Sequence, residues 1–509
     1  MGTCFLLIGL VLMSAIPATP GKIRTLYNSL DPYSIAQHLA FYELYPTSTE
    51  GQQALQDAWN LLNGSSTSIA TPLTDPDFGQ AVSAIVSLVN KQSTAAPELL
   101  KEKERTVVSQ IGQRLANRSL KGSSCKNESE VLALPPQEID LARGLFLTQF
   151  GSTPEGLAQV QTYEALIDLM ALQIAAKLPA GATPAQKIRV MNDFIFTEMG
   201  FRFPPHSAYA KEIDLYTFLP SVLDNRRGVC LGVSILYICL AQRLNLPLEM
   251  ITPPGHIYVR YRNPNEEINI ETTARGIHID SEEYLNVDTK ALQQRTIKEV
   301  IGLAYFNQAS VFLGEEKYQE ALDAYKRALP YLPDDKLLIE LMAYQYLLLG
   351  QLDEGKRLLK QVNNVTPEHQ VTRDSMADDY LQGRFEADAL RAFFLRVDET
   401  RESLIKKREA LEDVVNRYPQ FRAGIFSLAI TWLQLHRGRE ALELLERYHA
   451  LDPNDATAEY YLTALHAERN DYTKAWEHLR QTEKLVHERD HHPKMLKKLR
   501  QSLAMQFPE

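Results

Sequence analysis

Apolar residues recur at helical spacing through the first third of the chain. In the segment TEGQQALQDAWNLLNG, the residues Leu55, Trp59 and Leu62 share one helical face before Gly64 interrupts the pattern. Pro, Gly and Ser separate further segments of this kind. The pattern predicts a helical N-terminal region over residues 31–180, in which no group of residues indicates catalytic chemistry.

The pattern changes between residues 184 and 290, where a helical segment precedes two stretches of alternating polarity. PAQKIRVMNDFIFTEMGF carries Ile188, Met191 and Ile195 on one helical stripe. HIYVRYR and EINIETT then alternate apolar and polar residues, and NPNE between them has the residues that turns favour. This arrangement predicts an α+β core over residues 184–290.

A repeating pattern occupies residues 297–509. A shift of 34 residues brings Ala321 onto Gly355, and a second pair of units shows the same offset between Ala441 and Ala475. These offsets resemble those of the tetratricopeptide repeat, in which small residues let paired helices approach closely. Because one such unit cannot bury its apolar face alone, the units are expected to stack into an all-α solenoid.

The concave face of such a solenoid is the expected binding surface for a protein or peptide partner. The alternative is that the repeats only cap and stabilise the middle domain. Between residues 370 and 419 the pattern blurs, which leaves either a degenerate repeat or a longer helical insertion.

Length, composition and charge narrow the function classes. A chain of 509 residues is expected to form more than one domain, and 45% hydrophobic and 23% charged residues are typical of soluble globular proteins. The net charge of −10 and the lack of a basic stripe with interleaved aromatic residues argue against a nucleic-acid partner.

The four cysteines form no CxxC pair, and no metal or organic cofactor is predicted. The run HERDHHP, at residues 487–493, is predicted to be a solvated tail segment.

An apolar run of twelve residues, 5–16, lies near the first residue of the sequence and precedes small residues and Pro. It is shorter than the roughly 20 residues of a spanning helix, which favours a signal peptide over residues 1–20. No Lys or Arg precedes Lys22, which leaves a membrane anchor as the alternative. The expected location is therefore exported, either periplasmic or secreted, or attached to a membrane through the N-terminus.

Cys230 stands where the turn RRGV leads into the apolar helix CLGVSILYICLAQR. The unpaired N–H groups and the positive dipole end of a helix start favour a thiolate. The Cys230 N–H is also a natural oxyanion donor, with Asn225 as a second candidate. Cys239 faces the opposite side of the helix and is predicted to be a core residue.

A thiol at neutral pH needs a base, and His256 stands at the start of the first alternating stretch. Glu271 on the second stretch can orient the imidazole. If the hairpin turns at Asn263 and Pro264, His256 lies directly opposite Glu271. A turn shifted by one residue on both sides leaves them diagonal neighbours, whereas an even register would place them on opposite faces.

GVC before a helix, PGH before a strand and an acidic residue on the next strand resemble the transglutaminase-like cysteine enzymes, whose core is papain-like. MGFRF, LPSVLDNRRG and RLNLP resemble a bacterial branch of that family in which tetratricopeptide repeats often follow. The resemblance implies a catalytic triad of Cys230, His256 and Glu271. Two departures matter: family members commonly have Asp at the position of Glu271, and many of the bacterial branch have Pro at that of Cys230 and have lost catalysis.

The predicted fold class is a multidomain, mostly α protein with a helical N-terminal region, an α+β transglutaminase-like core and a tetratricopeptide solenoid. The predicted function is a cysteine hydrolase that cleaves amide or peptide bonds through a thioester. The alternative is a non-catalytic scaffold that recruits protein partners through its repeats.

Overall fold

The structure is a computed structural model that describes residues 19–64, 76–89, 96–204, 216–398 and 400–508. It confirms a multidomain and mostly α fold with one small antiparallel sheet. Across the described ranges, no helix is both long and apolar enough to cross a bilayer. The apolar run predicted to be a signal peptide or anchor lies outside the described residues.

The described residues of the N-terminal region form eight α-helices, and α3, α4, α5 and α7 pack against the long helix α8. The predicted helix in TEGQQALQDAWNLLNG is α3, and the Ser48 side chain caps its N-terminus by accepting from the Gly51 N–H. The helices are α1 Pro20–Tyr27, α2 Ile35–Leu44, α3 Thr49–Asn63, α4 Pro76–Val89, α5 Glu102–Ile111, α6 Glu128–Ala133, α7 Leu141–Phe150 and α8 Pro154–Ala176.

The α+β core, in the part that the structure describes, contains three α-helices and a sheet of four strands. A π-helical turn, Asp193–Glu198, continues the first helix, and the third helix packs against both α8 and the sheet. The elements are α9 Pro184–Asn192, α10 Leu219–Asn225, α11 Cys230–Arg243, β1 Glu249–Thr252, β2 Tyr258–Asn263, β3 Glu266–Ile270 and β4 Gln293–Arg295.

A buried ion pair joins α11 to the N-terminal helices. Arg243, at the last position of α11, donates from Nε to Asp168 Oδ1 of α8 at 2.6 Å, and both side chains are almost fully buried. Breaking such a pair leaves an uncompensated charge in the interior, so the orientation of α11 on α8 is strongly constrained.

The strand order is β3-β2-β1-β4, and every neighbouring pair is antiparallel. Val259 pairs with Ile270 and Asn263 pairs with Glu266, so the hairpin turns at Pro264 and Asn265. This is the alternative register expected from the sequence, with the turn shifted by one residue on both sides of Asn263 and Pro264, and it preserves which residues share a face.

The C-terminal helices form antiparallel pairs that stack along the chain, as the repeat pattern predicts. Ala321, Ala441 and Ala475 are fully buried at equivalent positions. At the fourth such position, Gly355, a Cβ would lie 2.4 Å from Leu347 Cδ2, which explains the smaller residue there. The paired helices are α12 Ile297–Gly314 with α13 Tyr318–Ala328, α14 Lys336–Leu348 with α15 Leu352–Val362, α19 Arg422–Gln434 with α20 Gly438–Leu451, and α21 Ala456–Glu468 with α22 Tyr472–His487.

Two helices of six residues and one longer helix fill the stretch where the repeat pattern blurs. Six residues make fewer than two turns, so this stretch is an irregular helical insertion between regular pairs. The helices are α16 Met376–Leu381, α17 Ala389–Phe394 and α18 Arg401–Arg417, and α23 Lys494–Gln506 closes the chain.

The far end of the solenoid contacts residues 286–290, the segment of the core that precedes β4. Val371 N donates to Asp288 O at 2.8 Å, and Val287 is buried among apolar residues of α22 and α23. His491 is also buried, and its Nε2 donates to Asn286 O at 2.7 Å. The prediction of a solvated tail over HERDHHP is therefore wrong for His491, because this contact removes the ring from solvent.

Candidate active site

Cys230 is the first residue of α11 and is partly exposed. The helical hydrogen-bond ladder begins with Val233 N donating to Val229 O, so the Cys230 N–H has no acceptor within its own helix. Gly232 lets the first turn lie against the preceding chain, since a Cβ there would lie 2.3 Å from Tyr216 O. The thiol is thus held at a helix start by close backbone packing.

His256 lies just before β2 and contacts the other two predicted site residues. Its Nε2 donates to Glu271 Oε2 at 2.6 Å, and its side chain is also hydrogen-bonded to that of Cys230. Because Nε2 faces the carboxylate, Nδ1 is the ring nitrogen left to take the thiol proton. The imidazole is 26% exposed, so a ligand in solution can reach this side of the site.

Glu271 is buried directly after β3, where it accepts four hydrogen bonds. Oε1 accepts from the Thr273 N–H at 3.0 Å and from the Thr273 hydroxyl at 2.5 Å, while Oε2 accepts from His256 and from the Tyr284 hydroxyl at 2.7 Å. Burial raises the pKa of Glu271, but these donors outweigh it and lower the pKa to about 2. The side chain is therefore a carboxylate at any physiological pH.

The same contacts raise the pKa of the His256 imidazole. Burial lowers the pKa of His256, but hydrogen bonds with Cys230 and Glu271 outweigh it and raise the pKa to about 9. An imidazole with this bias is a good acceptor for the thiol proton, because the environment stabilises the imidazolium that forms.

Tyr284 is a site residue that the sequence did not indicate. It ends a short 3-10 turn, Ser281–Tyr284, and its ring stacks on that of His256 with centroids 5.7 Å apart and planes 14° from parallel. Its hydroxyl also holds Glu271 in place. The residue fixes the imidazole and the carboxylate together, thirteen residues beyond Glu271, where no periodic pattern points to it.

A buried contact ties α11 to the loop that carries the carboxylate. The Ser234 and Thr272 hydroxyl oxygens lie 3.0 Å apart, one turn beyond Cys230 and one residue after Glu271. Their hydrogen bond fixes the thiol and the carboxylate relative to each other across the imidazole.

Three other residues of this domain, a cysteine, an asparagine and a histidine, lie outside the cluster formed by Cys230, His256 and Glu271. Cys239 is fully buried, and burial raises the pKa of its thiol, as expected of a core residue. The Asn225 side-chain amide donates to Ser221 O at 2.8 Å within its own helix, which does not support the prediction of an oxyanion donor. His278 lies near Asn269 and Asp280.

Residues 161–305 match the family model described as Transglutaminase-like superfamily, and this range contains Cys230, His256 and Glu271. The chain thus has a transglutaminase-like domain. The matched range begins inside α8 and ends inside α12, so it extends beyond residues 184–290 on both sides.

The chain is similar to human F-box only protein 21, with 24% identity over 187 residues that cover 33% of this chain and 28% of the human protein. It is also similar to UPF0162 protein of Xylella fastidiosa, with 23% identity over 192 residues, which cover 34% of this chain and 67% of the bacterial protein. The chain thus spans less than a third of the length of the human relative.

The chain is also similar to solved structures of MamA. One, titled Crystal structure of MamA, is 12% identical, covers 36% of this chain and 96% of its own, and superposes with a TM-score of 0.21. Another, titled MamA MSR-1 C2, is 15% identical with a TM-score of 0.18.

Proposed function

We propose that the transglutaminase-like domain is a cysteine hydrolase of the type found in the bacterial branch, acting on amide or peptide bonds. The observation that carries this proposal is the imidazole of His256, which is hydrogen-bonded to the Cys230 thiol on one side and to the Glu271 carboxylate on the other. A nucleophile, a base and an orienting carboxylate in contact are the parts that acyl transfer through a thiol requires.

In the proposed reaction, the Cys230 thiol gives its proton to His256 Nδ1 and the sulfur attacks the carbonyl carbon of the substrate. The oxyanion that forms is stabilised by the Cys230 N–H at the helix start. The His256 imidazolium then protonates the leaving amine, which departs and leaves a thioester. Water attacks this thioester after giving its proton to His256, and the acid and the free thiol result.

Glu271 accepts from His256 Nε2 throughout this sequence. Its four donors hold it as a carboxylate, so it stabilises the imidazolium without taking the proton. The longer Glu side chain reaches the imidazole from a position just after β3, which answers the departure from the more common Asp.

The pH dependence of Cys230 alkylation by iodoacetamide tests the proposal, measured on the Cys230 peptide in a Cys239→Ala chain. We expect the rate to saturate well below the ordinary thiol pKa of about 8.5. His256→Ala should slow labelling at neutral pH by roughly 10²-fold and restore an ordinary profile.

His278→Ala is the matched control, because this imidazole is in the same domain and lies 3.2 Å from Asp280. Its labelling profile should equal that of the parent chain. An ordinary thiol profile that His256→Ala leaves unchanged would contradict the hydrolase and favour the non-catalytic scaffold.

We also propose that the solenoid binds a protein or peptide partner, the function that the scaffold alternative would retain. The support is that the solenoid already holds a non-helical segment of its own chain, with Val371 N and Thr372 N donating to the backbone and side chain of Asp288. Peptide binding by the Cys230→Ala chain tests it, since that variant keeps the repeats and lacks the thiol.

We propose, finally, an exported or membrane-anchored protein, on the support of the apolar run at residues 5–16. N-terminal sequencing of the mature chain after cell fractionation distinguishes the outcomes. A start near residue 20 supports cleavage and export, an intact N-terminus in the membrane fraction supports an anchor, and an intact soluble chain contradicts both.

A further inference from the structure

Three side chains from three consecutive solenoid helices converge on one point away from the active site. His449 of α20 and His478 of α22 each direct Nδ1 at the carboxylate of Glu459 in α21, at 2.5 Å from Oε1 and 2.8 Å from Oε2. These three ligand atoms all lie within 4.8 Å of one another. Two imidazole nitrogens and one carboxylate oxygen are a donor set suited to first-row transition metals.

Burial makes this cluster different from a surface group of charges. The Glu459 side chain is 0% exposed and that of His478 is 14% exposed, while His449 at 37% leaves an entry path from solvent. A buried carboxylate needs a compensating positive charge. A divalent cation supplies it in place of the two imidazole protons.

A third imidazole, that of His466, lies against the cluster. The His466 ring stacks on that of His478 with centroids 5.4 Å apart and planes 4° from parallel. The His449 ring meets the His478 ring edge-on. His466 Nε2 is buried and has no hydrogen-bond partner among the described residues, and its closest carboxylate oxygen, Glu446 Oε1, is 3.6 Å away. A buried ring nitrogen without a partner is costly, and a metal ion or its bound water would remove that cost.

The neighbouring charges favour a cation. Glu446 and Asp471 flank His466, so their two carboxylates add to the negative charge of Glu459. The ammonium of Lys474, which pairs with Glu446 at 3.3 Å, offsets part of this negative charge. The distances need little adjustment. Bonds of about 2.0–2.2 Å from zinc to nitrogen and oxygen let two ligand atoms lie up to roughly 4 Å apart, so a shift of under about 1 Å brings all three into range.

We infer that His449, Glu459 and His478 form a site for a divalent transition-metal ion of the Zn²⁺ type, beside the stacked ring of His466. The ion would join α20 to α21 and α22, and so link two consecutive helix pairs. This end of the solenoid also contacts residues 286–290, so the ion would stabilise the surface that holds this segment of the core.

Equilibrium dialysis of the full chain against Zn²⁺, followed by metal analysis, tests the inference. The chain should carry Cys230→Ala, because the thiol and His256 together could also bind zinc and obscure the result. We expect one bound Zn²⁺ that Glu459→Gln, His449→Ala and His478→Ala each weaken at least about tenfold. Co²⁺ in place of Zn²⁺ should give the d–d absorption of a cobalt ion with nitrogen ligands, which these variants lose.

His492→Ala is the matched control, because it removes an exposed histidine of the HERDHHP run and should leave the binding unchanged. Circular dichroism checks the folding of each variant, and partly exposed His449 still provides the test if the buried substitutions unfold the chain. Equal zinc uptake by the parent and by folded His449→Ala, or the absence of uptake by the parent, would overturn the inference. Neither result bears on the hydrolase proposal, since the thiol is absent from every chain compared.

Discussion

Two buried carboxylates in the described part of the chain, Glu271 and Glu459, are hydrogen-bonded to imidazoles, and they differ in whether a thiol lies beside the imidazole. In the transglutaminase-like domain, Glu271 holds one imidazole whose other side meets the Cys230 thiol. In the solenoid, Glu459 is hydrogen-bonded to two imidazoles, and none of the described thiols contacts this cluster. In our two proposals, the same kind of hydrogen bond therefore serves nucleophile activation in one place and metal binding in the other.

The second difference is which groups donate hydrogen bonds to the oxygens of each carboxylate. Thr273 and Tyr284 occupy the other acceptor positions of Glu271, so the carboxylate is fixed toward a single imidazole. Glu459 gives one oxygen to each of two imidazoles on different helices. A saturated carboxylate orients a base, whereas one shared between two nitrogens leaves three ligands that a cation can draw together.

Removal of the thiol should have the largest effect on this contrast. An activated p-nitrophenyl ester should acylate Cys230 in the Cys239→Ala chain, and mass spectrometry should locate the acyl group on that peptide. Cys230→Ala should reduce labelling to background, a loss on the order of 10³-fold or more, because the nucleophile is gone.

His449→Ala is the matched control, because it breaks the imidazole–carboxylate contact with Glu459 in the solenoid and leaves the one between His256 and Glu271 in place. It should leave acylation unchanged. Equal labelling of Cys230 in a folded His256→Ala chain would show that the thiol reacts without its base, and acyl groups only at other residues would show that Cys230 is not the nucleophile.

Removal of the solenoid carboxylate should have the next largest effect, on stability. Glu459→Ala leaves the N–H of mostly buried His478 and that of partly exposed His449 without their acceptor, and losing two hydrogen bonds to a charged group costs about 3 kcal/mol. Urea unfolding in a chelator measures this free energy in the metal-free chain. Glu443→Ala, at an exposed position on α20, should change it by under about 0.5 kcal/mol. A loss for Glu459→Ala as small as for this control would mean that the cluster adds nothing to the metal-free fold.

The sequence indicated one of these two clusters and missed the other, for physical reasons. Cys230, His256 and Glu271 each stand at a boundary between elements, and the alternation of polar and apolar residues limits the register to choices that bring His256 and Glu271 together. The turn was predicted one residue too early, yet the shift by one on both sides kept the shared face.

The solenoid cluster has no such signal. His449, Glu459 and His478 lie on three helices, at separations that match no local metal-binding spacing. The 34-residue period predicts that these helices stack, but small rotations of each helix decide which polar residues meet. Tyr284 was missed for a related reason, because it approaches His256 from a short turn outside the hairpin.

Helix pairing was the most predictable part of the fold, since buried Ala residues at a fixed period allow one close packing geometry. The irregular insertion and the contact between His491 and Asn286 depend on where the solenoid ends in space. That position is the sum of many small rotations between helix pairs, which no local pattern encodes.

The smallest expected effect is a pH dependence of stability that the active-site imidazole adds. Its folded pKa of about 9 lies above the ordinary value of 6.5, so the folded chain binds more protons than the unfolded chain between these values. The stabilisation is therefore fully present below about pH 6.5 and is lost as the pH rises through about 9. We expect the difference in unfolding free energy between the parent and His256→Ala to shrink by about 1 kcal/mol over this window. His278→Ala corrects for the loss of an imidazole elsewhere in the domain, and a difference that grows with pH would mean that Cys230 and Glu271 do not favour the imidazolium.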